Sequence, residues 1–302
     1  MKLVLAAAGF PPESDGAEER RVQALARGLA GRGHTVLVVA GADATPAETR
    51  KVDVVDGAVR VARIERADRF PGHWQKSSSP SALRLFRAVL AEERPEVVHV
   101  LHWRRLTREL VHAAARARVP SVVTLVDAWT HCPITPSASG ALGALGAGRV
   151  RTDTRAPCDA GVGVHPCVAC AGRAAPRTPW VPREAQYMAL AERQAALERE
   201  LVLARGVLAP SRELADAAAR FLGPIGARLS IEVVAPGTDA AASDASIDAH
   251  LAAYERARAI GAPAVEAPKD EWYAERMDAF RLEQWDRSLA STPRSELGLE
   301  AG

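Results

Sequence analysis

The segment from residue 95 to residue 133 constrains the fold of this chain more than any other stretch. It contains two short apolar runs, Val97–Leu101 and Ser121–Val126, separated by a segment whose apolar residues recur at helical spacing. A strand, a crossover helix and a second strand in this order predict a right-handed βαβ unit of a parallel sheet. Ligands of open parallel sheets bind beyond the carboxyl ends of the strands, so the residues that follow the two runs are expected at a binding crevice.

The same alternation of strands and helices continues on both sides of this unit. Other predicted strands are Leu3–Ala8, Thr35–Ala40, Val59–Ile64, Gly206–Ala209 and Ile231–Ala235, and other predicted helices are Ala17–Arg32, Pro80–Arg94, Pro182–Ala204 and Arg212–Leu222. This alternation predicts the α/β class with a doubly wound parallel sheet, that is, a Rossmann-like domain. Two helices are expected in the C-terminal tail, over Ile247–Ile260 and Glu271–Leu289.

Composition and charge narrow the class of protein. The 302 residues are 48% apolar and 25% charged, which is typical of a globular chain, and the net charge of +2 does not predict a nucleic-acid partner. Six arginines and two aspartates lie between Arg149 and Arg183, and they indicate either contact with phosphate or an anionic membrane surface, or a solvated loop. Any membrane contact is expected to be peripheral, since no apolar run reaches the roughly 18 residues of a spanning helix.

The N-terminus has a sequence that resembles a secretion signal at first sight. Met1 and Lys2 precede a short apolar run, but Pro11 and Pro12 end that run within a few residues. We therefore expect a buried first strand and a cytoplasmic protein, in which thiols stay reduced. The loop Gly9–Gly16 then joins this strand to a helix N-terminus, where free N–H groups and the helix dipole favour an anion, although such a loop can also be a simple connection.

All four cysteines lie in one long segment, residues 128–182, and they follow the pattern C-x25-C-x8-C-x2-C: Cys132, Cys158, Cys167 and Cys170. A C-x2-C pair in one tight turn can direct two thiolates to the same tetrahedral cation, and two more cysteines would close the shell. We therefore expect a structural zinc site that holds this segment together, with His131 or His165 able to replace one ligand. An iron–sulfur cluster, disulfides and unrelated thiols are the alternatives.

Six segments of the chain, taken together, resemble the N-terminal, acceptor-side domain of family 4 glycosyltransferases. They occur in the family's order and spacing: GFPPESDGAE, LARGLAGRGHTVLVVA, RPEVVHVLHW, VPSVVTLVDAWTHCP, VLAPSRELAD and VVAPGTD. The resemblance implies that residues 1–239 form one Rossmann-like domain of the two-domain GT-B architecture, with residues 128–182 as a Cys-rich insertion. Residues 240–302 are expected to be a linker and a helical tail, in place of the family's donor domain.

The resemblance also implies roles for individual residues. It points to Asp127 as a catalytic residue and to Asp15, Gly16, Ser211 and Arg212 as substrate-binding residues, although Asp127 can also cap the following loop and Ser211 can be only a helix N-cap. His102 is a second expected catalytic residue, and Trp103, Arg104 and Trp129 are further expected substrate-binding residues, because they follow the two apolar runs at the expected crevice. Two positions depart from the family pattern. Asp15-Gly16 replaces two glycines, and a carboxylate there would repel a donor diphosphate unless a cation or an arginine intervened. Val126-Asp127 replaces His-Asp, and a valine cannot donate a hydrogen bond to a sugar hydroxyl.

These observations lead to two functional hypotheses. The first is a glycosyltransferase of the hexosyltransferase type, whose acceptor-side half is this chain and whose nucleotide-sugar donor is bound by a separate donor-domain protein. Its acceptor would be a sugar or a lipid-linked molecule, with no role for nucleic acid. The second is a noncatalytic binding or scaffold protein that descends from such an enzyme and keeps the metal loop. A dinucleotide-dependent oxidoreductase is disfavoured, since no G-x-G-x-x-G follows the first strand.

Overall fold

The structure is a computed structural model that describes residues 1–44, 46–68, 71–130, 132, 158, 164–171, 183–235 and 242–265. Within these ranges the strands are β1 (Lys2–Ala7), β2 (Thr35–Gly41), β3 (Arg50–Asp56), β4 (Val59–Glu65), β5 (Val97–Val100), β6 (Ser121–Thr124), β7 (Gly206–Ala209) and β8 (Ile231–Val233). The helices are α1 (Ala17–Gly31), α2 (Pro80–Glu93), α3 (Leu110–Arg116), α4 (Val164–Ala171), α5 (Arg183–Leu203), α6 (Arg212–Phe221), α7 (Gly223–Gly226) and α8 (Asp244–Ile260), with a 3-10 turn at Trp74–Lys76.

The strands form one sheet in the order β3-β4-β2-β1-β5-β6-β7-β8, which confirms the doubly wound α/β fold. All neighbours pair in parallel except β3, which runs antiparallel to β4 at the edge. Sequence analysis missed β3 because charged residues interrupt its valines, of which Val52 and Val54 are half-buried and Val55 is exposed. The signal was present nonetheless. Gly57-Ala58 joins β3 to β4, with Gly57 at a φ of 61°, and a two-residue connection that begins with glycine is typical of a hairpin.

Two apolar layers cover the two faces of the sheet. One face packs against α2, α3, α5 and α6, through side chains such as Phe86, Leu110 and Leu197. The other face packs against α1 and α8, through side chains such as Leu29, Ile247 and Tyr254. Successive residues of β1 alternate between the two clusters, as the pleat of a strand buried on both sides requires.

Helix α8 confirms the predicted helix Ile247–Ile260 and extends it by three residues at its start. Its N-cap is Ser243, whose hydroxyl accepts a hydrogen bond from the Ser246 N–H at 3.2 Å. The helix packs across β5, β6 and β7 and alongside α1. The first part of the tail is therefore a component of the folded domain. The second predicted tail helix, Glu271–Leu289, lies outside the described residues.

No helix in the described ranges is both long enough and apolar enough to cross a bilayer.

Candidate functional site

Three side chains that are far apart in sequence meet at the carboxyl edge of the sheet. Glu18 lies in the first turn of α1, His102 lies two residues beyond β5, and Asp127 lies three residues beyond β6. One nitrogen or carboxylate oxygen from each of them lies within 4.8 Å of the other two. The carboxyl ends of parallel strands share one edge of the sheet, which explains why the polar residues after β5 and β6 come together here.

Asp127 is held by contacts on both of its carboxylate oxygens. Oδ1 accepts a hydrogen bond from the backbone N–H of Trp129 at 2.7 Å, and Oδ2 lies 3.4 Å from Nε2 of His102. Burial by itself would raise the pKa of Asp127. Burial is outweighed by the interaction with His102, the hydrogen bond from the Trp129 N–H and the charge of Arg104, and the pKa of Asp127 is lowered. Asp127 therefore presents an ionised, oriented carboxylate at the crevice.

The contacts of His102 determine which of its nitrogens carries the proton. A backbone N–H can only donate, and the Arg104 N–H points at Nδ1 of His102 from 2.9 Å. We therefore assign the proton to Nε2, where it faces Asp127. With Nδ1 occupied by a donor and Nε2 protonated, the ring has no spare lone pair. His102 can orient Asp127, but it cannot bind a metal ion or remove a proton without losing these contacts.

Glu18 is the third member of the cluster, and sequence analysis did not select it. Burial raises its pKa, and the nearby charge of Asp127 raises it further, while His102 and Arg104 act in the opposite direction. Of the two carboxyl groups, Glu18 is thus the one that takes up a proton more readily. Its place in the first turn of a helix that begins at the carboxyl edge of β1 is the sequence signal that could have identified it.

The loop before α1 carries the expected residues Asp15 and Gly16. Arg20 donates to the Asp15 carbonyl at 2.8 Å and to its carboxylate at 3.2 Å, so an arginine does offset the charge that replaces the family's glycine. The first turn of α1 also contains two carboxylates of its own, Glu18 and Glu19. Acidic side chains at this end of a helix already compensate the positive end of its dipole. This loop is therefore less favourable to an incoming phosphate than the sequence pattern suggested.

A cavity of about 90 Å³ lies beside the cluster, between α1, the ends of the central strands and the start of α8. Glu18 and His102 line it, and so does Val126, the residue that stands where the family has histidine. Ala242, Ser246 and His250, from the beginning of α8 and the residues before it, form another wall. The C-terminal segment therefore builds part of the crevice, which was not predicted from the sequence.

Trp103 and Trp129 were expected to bind substrate, but the structure places both in the core. Each is 2% exposed, and their rings stack with centroids 6.1 Å apart and planes inclined by 11°. Trp103 donates through Nε1 to the buried carboxylate of Glu200 at 2.9 Å, and Arg193 lies over the Trp129 ring. The two tryptophans thus pack next to the residues of the cluster, and neither tryptophan lines the cavity.

Arg193 and Glu200 project from the buried face of α5, and sequence analysis did not select either of them from a helix that is rich in Glu, Arg and Ala. Burial lowers the pKa of Arg193 to about 10, while nearby Cys132 and Cys167 act to raise it. Burial raises the pKa of Glu200 to about 8, although the N–H donors of Trp103, His112 and Val111 act to lower it. Glu200 accepts from the Val111 N–H at 2.6 Å and the His112 N–H at 2.8 Å, so it holds the start of α3.

The remaining predicted substrate-binding residues lie at the rim of this region. Ser211 is the N-cap of α6 and accepts a hydrogen bond from the Leu214 N–H at 3.2 Å, which accounts for its residue type. Ser211 and Arg212 are both exposed, next to Pro210 of the cavity wall. Arg104 is half-buried, and its charge helps to keep Asp127 ionised.

The four predicted metal ligands are all half-buried. Cys167 and Cys170 lie on α4, a helix and not the tight turn that we expected, but an i, i+3 spacing still places them on one face. Cys132 closes a turn after Asp127, with its N–H bonded to the Ala128 carbonyl at 2.7 Å. Among the described residues, the potential metal-binding atoms that all lie within 4.8 Å of one another belong to Glu18, His102 and Asp127. The cysteine site stays a prediction, and His131 lies outside the described residues.

Comparison with known proteins gives one match to a family model. Residues 18–153 match the model of Glycosyltransferase Family 4. No curated protein matches the sequence significantly. Among solved structures, the chain is similar to a sucrose-phosphate synthase from Thermosynechococcus elongatus, with 13% identity and a TM-score of 0.45, covering 78% of this chain and 48% of that one.

It is also similar to the catalytic domain of starch synthase IV from Arabidopsis thaliana bound to ADP and acarbose, with 11% identity and a TM-score of 0.41, covering 78% of this chain and 52% of that one. The chain spans about half the length of these two structures. The family match identifies residues 18–153 of this doubly wound domain as part of a family 4 glycosyltransferase N-terminal domain.

Proposed function

We propose that this chain is the acceptor-side half of a retaining, nucleotide-sugar-dependent glycosyltransferase, and that a separate polypeptide supplies the donor-binding half. The observation that carries the proposal is the meeting of Glu18, His102 and Asp127 within 4.8 Å at the carboxyl edge of the sheet. An oriented carboxylate beside a second carboxyl group is suited to binding and aligning a hydroxyl group.

The size of the cavity supports the assignment to the acceptor side. Pockets that enclose a drug-sized ligand have volumes of roughly 300–1,000 Å³. The cavity beside the cluster has only about 90 Å³, so it can take a small part of a ligand but not a whole nucleotide sugar. We therefore infer that a donor site needs groups other than the described residues.

Each member of the cluster has its own task in this proposal. Asp127 accepts a hydrogen bond from the acceptor hydroxyl and holds its oxygen toward the donor sugar. His102 keeps Asp127 in place through the Nε2 proton, and Arg104 keeps His102 in place through its backbone N–H. Glu18 provides the second carboxyl group, whose raised pKa lets it either accept from or donate to the same hydroxyl.

The test begins with the full chain, tagged and purified from its native cells together with any partner. The recovered complex is assayed for transfer from labelled nucleotide sugars to an extract of cellular acceptors. We expect transfer, and we expect Asp127→Asn to reduce its rate by about 100-fold, because the neutral amide cannot replace the carboxylate. Asp216→Asn, at an exposed position on α6, is the matched control and should change nothing.

Two results would contradict the proposal. Transfer that is unaffected by Asp127→Asn would remove this cluster from the chemistry. A purified chain that recruits no partner, and neither binds nor transfers any sugar, would favour the noncatalytic scaffold. The loss of a polar group at Val126 is the observation that favours this second candidate.

We further propose that the cysteines of residues 128–182 bind a structural zinc ion. The support is the spacing of Cys167 and Cys170 on one face of α4, together with Cys132 at the end of the turn that begins at Asp127. Helix α4 packs against α5 and Trp74 through Val168 and Leu190, so a metal would fasten the insertion to the helix behind the cluster. Metal analysis of the purified protein tests this directly. Less than roughly a tenth of an equivalent of zinc or iron would exclude a closed four-thiolate site, which retains its ion through purification.

A further inference from the structure

The wall of the cavity is mostly apolar. Its aliphatic residues come from several separate parts of the chain, and they include Ala7 at the end of β1, Val22 and Leu25 from α1, Leu101 from beyond β5, Val126 from beyond β6, Val234 from beyond β8 and Ala242 from before α8. Such convergence from separate elements makes a concave surface that water wets poorly and that an apolar group would fill.

Several polar groups of the same wall are engaged within the protein, and Glu19, which lines it together with Arg21, accepts a hydrogen bond from the Ser14 hydroxyl at 3.3 Å. The Thr124 hydroxyl lies 2.7 Å from Nε2 of His99, and Nδ1 of His250 is bonded to the Ser246 carbonyl at 2.7 Å. A sugar ring would bring several hydroxyl groups into this space. Each hydroxyl left without a partner would weaken binding by roughly tenfold or more. The wall is thus poorly matched to a polyol.

Two members of the cluster, Glu18 and His102, line the cavity. The third, Asp127, has a carboxylate oxygen within 4.8 Å of a ligand atom of each of them. A ligand that fills the apolar space can place a single hydroxyl group against this cluster. The volume of about 90 Å³ is smaller than the engineered cavity of about 150 Å³ that holds benzene in another protein, so the buried portion is limited to a short branched or linear alkyl unit.

We propose that the acceptor is an alcohol with an apolar body, which inserts an alkyl or isoprene-sized unit beside Val126 and presents its one hydroxyl group to Glu18 and Asp127. This inference rests on the proposed function and names the acceptor class for that same site. Val126, which directly follows Leu125 and precedes Asp127, contributes an apolar side chain to this wall where the resembled family has a histidine.

The test measures binding to the full chain by saturation-transfer NMR and calorimetry. The probes are 3-methyl-2-buten-1-ol, an isoprene-sized alcohol, and methyl α-glucoside, a polyol. We expect the alcohol to bind at least ten times more tightly than the glucoside. Val126→Thr keeps the volume of the side chain and adds a hydroxyl group, so it should weaken binding of the alcohol about tenfold. Val126→His, the family residue, should weaken it further and improve binding of the glucoside.

Val55→His is the matched control, because Val55 is 74% exposed on the edge strand β3, away from the cavity. A melting curve for each variant separates loss of binding from loss of folding, and Val126→Thr is the variant least able to disturb the fold. The source of the alcohol is resolved with vesicles that contain or lack a long-chain polyprenol. Recruitment by the polyprenol vesicles alone identifies a membrane-borne acceptor, whereas binding of the free alcohol alone identifies a soluble one.

Tighter binding of the glucoside, or no binding of either probe, would overturn this inference. Equal weakening by Val55→His and Val126→Thr would overturn it as well. None of these results contradicts the proposed function, which is tested separately by the effect of Asp127→Asn on sugar transfer in the partner complex. A complex that transfers sugar to a polyol acceptor would therefore keep the proposed function and reject the apolar acceptor.

Discussion

The guanidinium carbon of Arg193 lies 4.1 Å from the centre of the Trp129 ring, and the same side chain donates to the Trp129 carbonyl. The Trp129 N–H in turn donates to Asp127, so Arg193 supports the carboxylate at the crevice through one intermediate residue. Arg193 is only 2% exposed, and its Nε has no hydrogen-bond partner among the described residues.

We expect Arg193→Lys to destabilise the fold at least as much as Arg193→Met. Lysine retains a buried charge but lacks the planar group that stacks on tryptophan, whereas methionine fills space without a charge. Each change should lower the free energy of unfolding by about 1–3 kcal/mol, as judged by urea titration. Arg199→Lys, at an exposed position on the same helix, is the control and should stay within about 0.5 kcal/mol of the parent. A stable Arg193→Met protein with unchanged Asp127-dependent activity would show that this support is dispensable.

A second prediction concerns the pH dependence of stability through Glu200, whose folded pKa is raised to about 8 from an ordinary value of 4.5. Between these values the folded chain keeps a proton that the unfolded chain has released. The contribution of Glu200 to the free energy of unfolding is therefore fully present below pH 4.5. It decreases as pH rises toward 8, by up to about 1.4 kcal/mol per pH unit. Other groups also titrate, so the quantity to measure is the difference between the parent chain and Glu200→Gln.

Glu200→Gln should remove this slope and lower stability at acidic pH by about 1–3 kcal/mol. The glutamine oxygen can replace one carboxylate oxygen, but its NH2 group would then face a backbone N–H at the start of α3. Urea unfolding at several pH values between 5 and 8 provides the comparison. Parallel stability curves for the two proteins would show that Glu200 does not titrate in this range.

The central strands and helices could be predicted because local patterns determine them. The apolar run of β5 and the amphipathic repeat of α2 need no distant residue for their interpretation. The residues that support the site could not be predicted in this way. Glu200 and Trp103 are 97 positions apart and their contact depends on how α5 packs. The burial of Trp129 has the same origin, since its neighbour Arg193 comes from that helix.

A third prediction uses the close approach of α1 and α8. A Cβ atom at Gly28 would lie 2.5 Å from Cδ1 of Ile247 and 3.2 Å from its Cγ1, and Ile247 is 4% exposed. Gly28→Ala should therefore lower the free energy of unfolding by about 1–3 kcal/mol, despite the better helix propensity of alanine. Gly31→Ala is the matched control on the same helix, because a Cβ atom there meets nothing within 4 Å.

Ile247→Val removes the Cδ1 atom that would clash. We expect Gly28→Ala to become neutral or slightly stabilising in the Ile247→Val background, which is measured as a coupling energy in a double-mutant cycle. Additive effects of the two changes would mean that Ile247 of α8 does not pack tightly against Gly28.

The last prediction concerns the buried polar network that joins α8 to the sheet. His99 on β5 lies 2.8 Å from the Tyr254 hydroxyl through Nδ1 and 2.7 Å from the Thr124 hydroxyl through Nε2. Burial places the pKa of His99 well below its ordinary value, so the ring is neutral and needs one donor and one acceptor.

Tyr254→Phe leaves Nδ1 without its partner and should lower the free energy of unfolding by about 1–3 kcal/mol. Tyr187→Phe, at a site 42% exposed on α5, should change it by less than about 0.5 kcal/mol. Equal stabilities for the two phenylalanine variants would show that the hydroxyl does not anchor α8, and the C-terminal wall of the crevice would then depend on apolar packing alone.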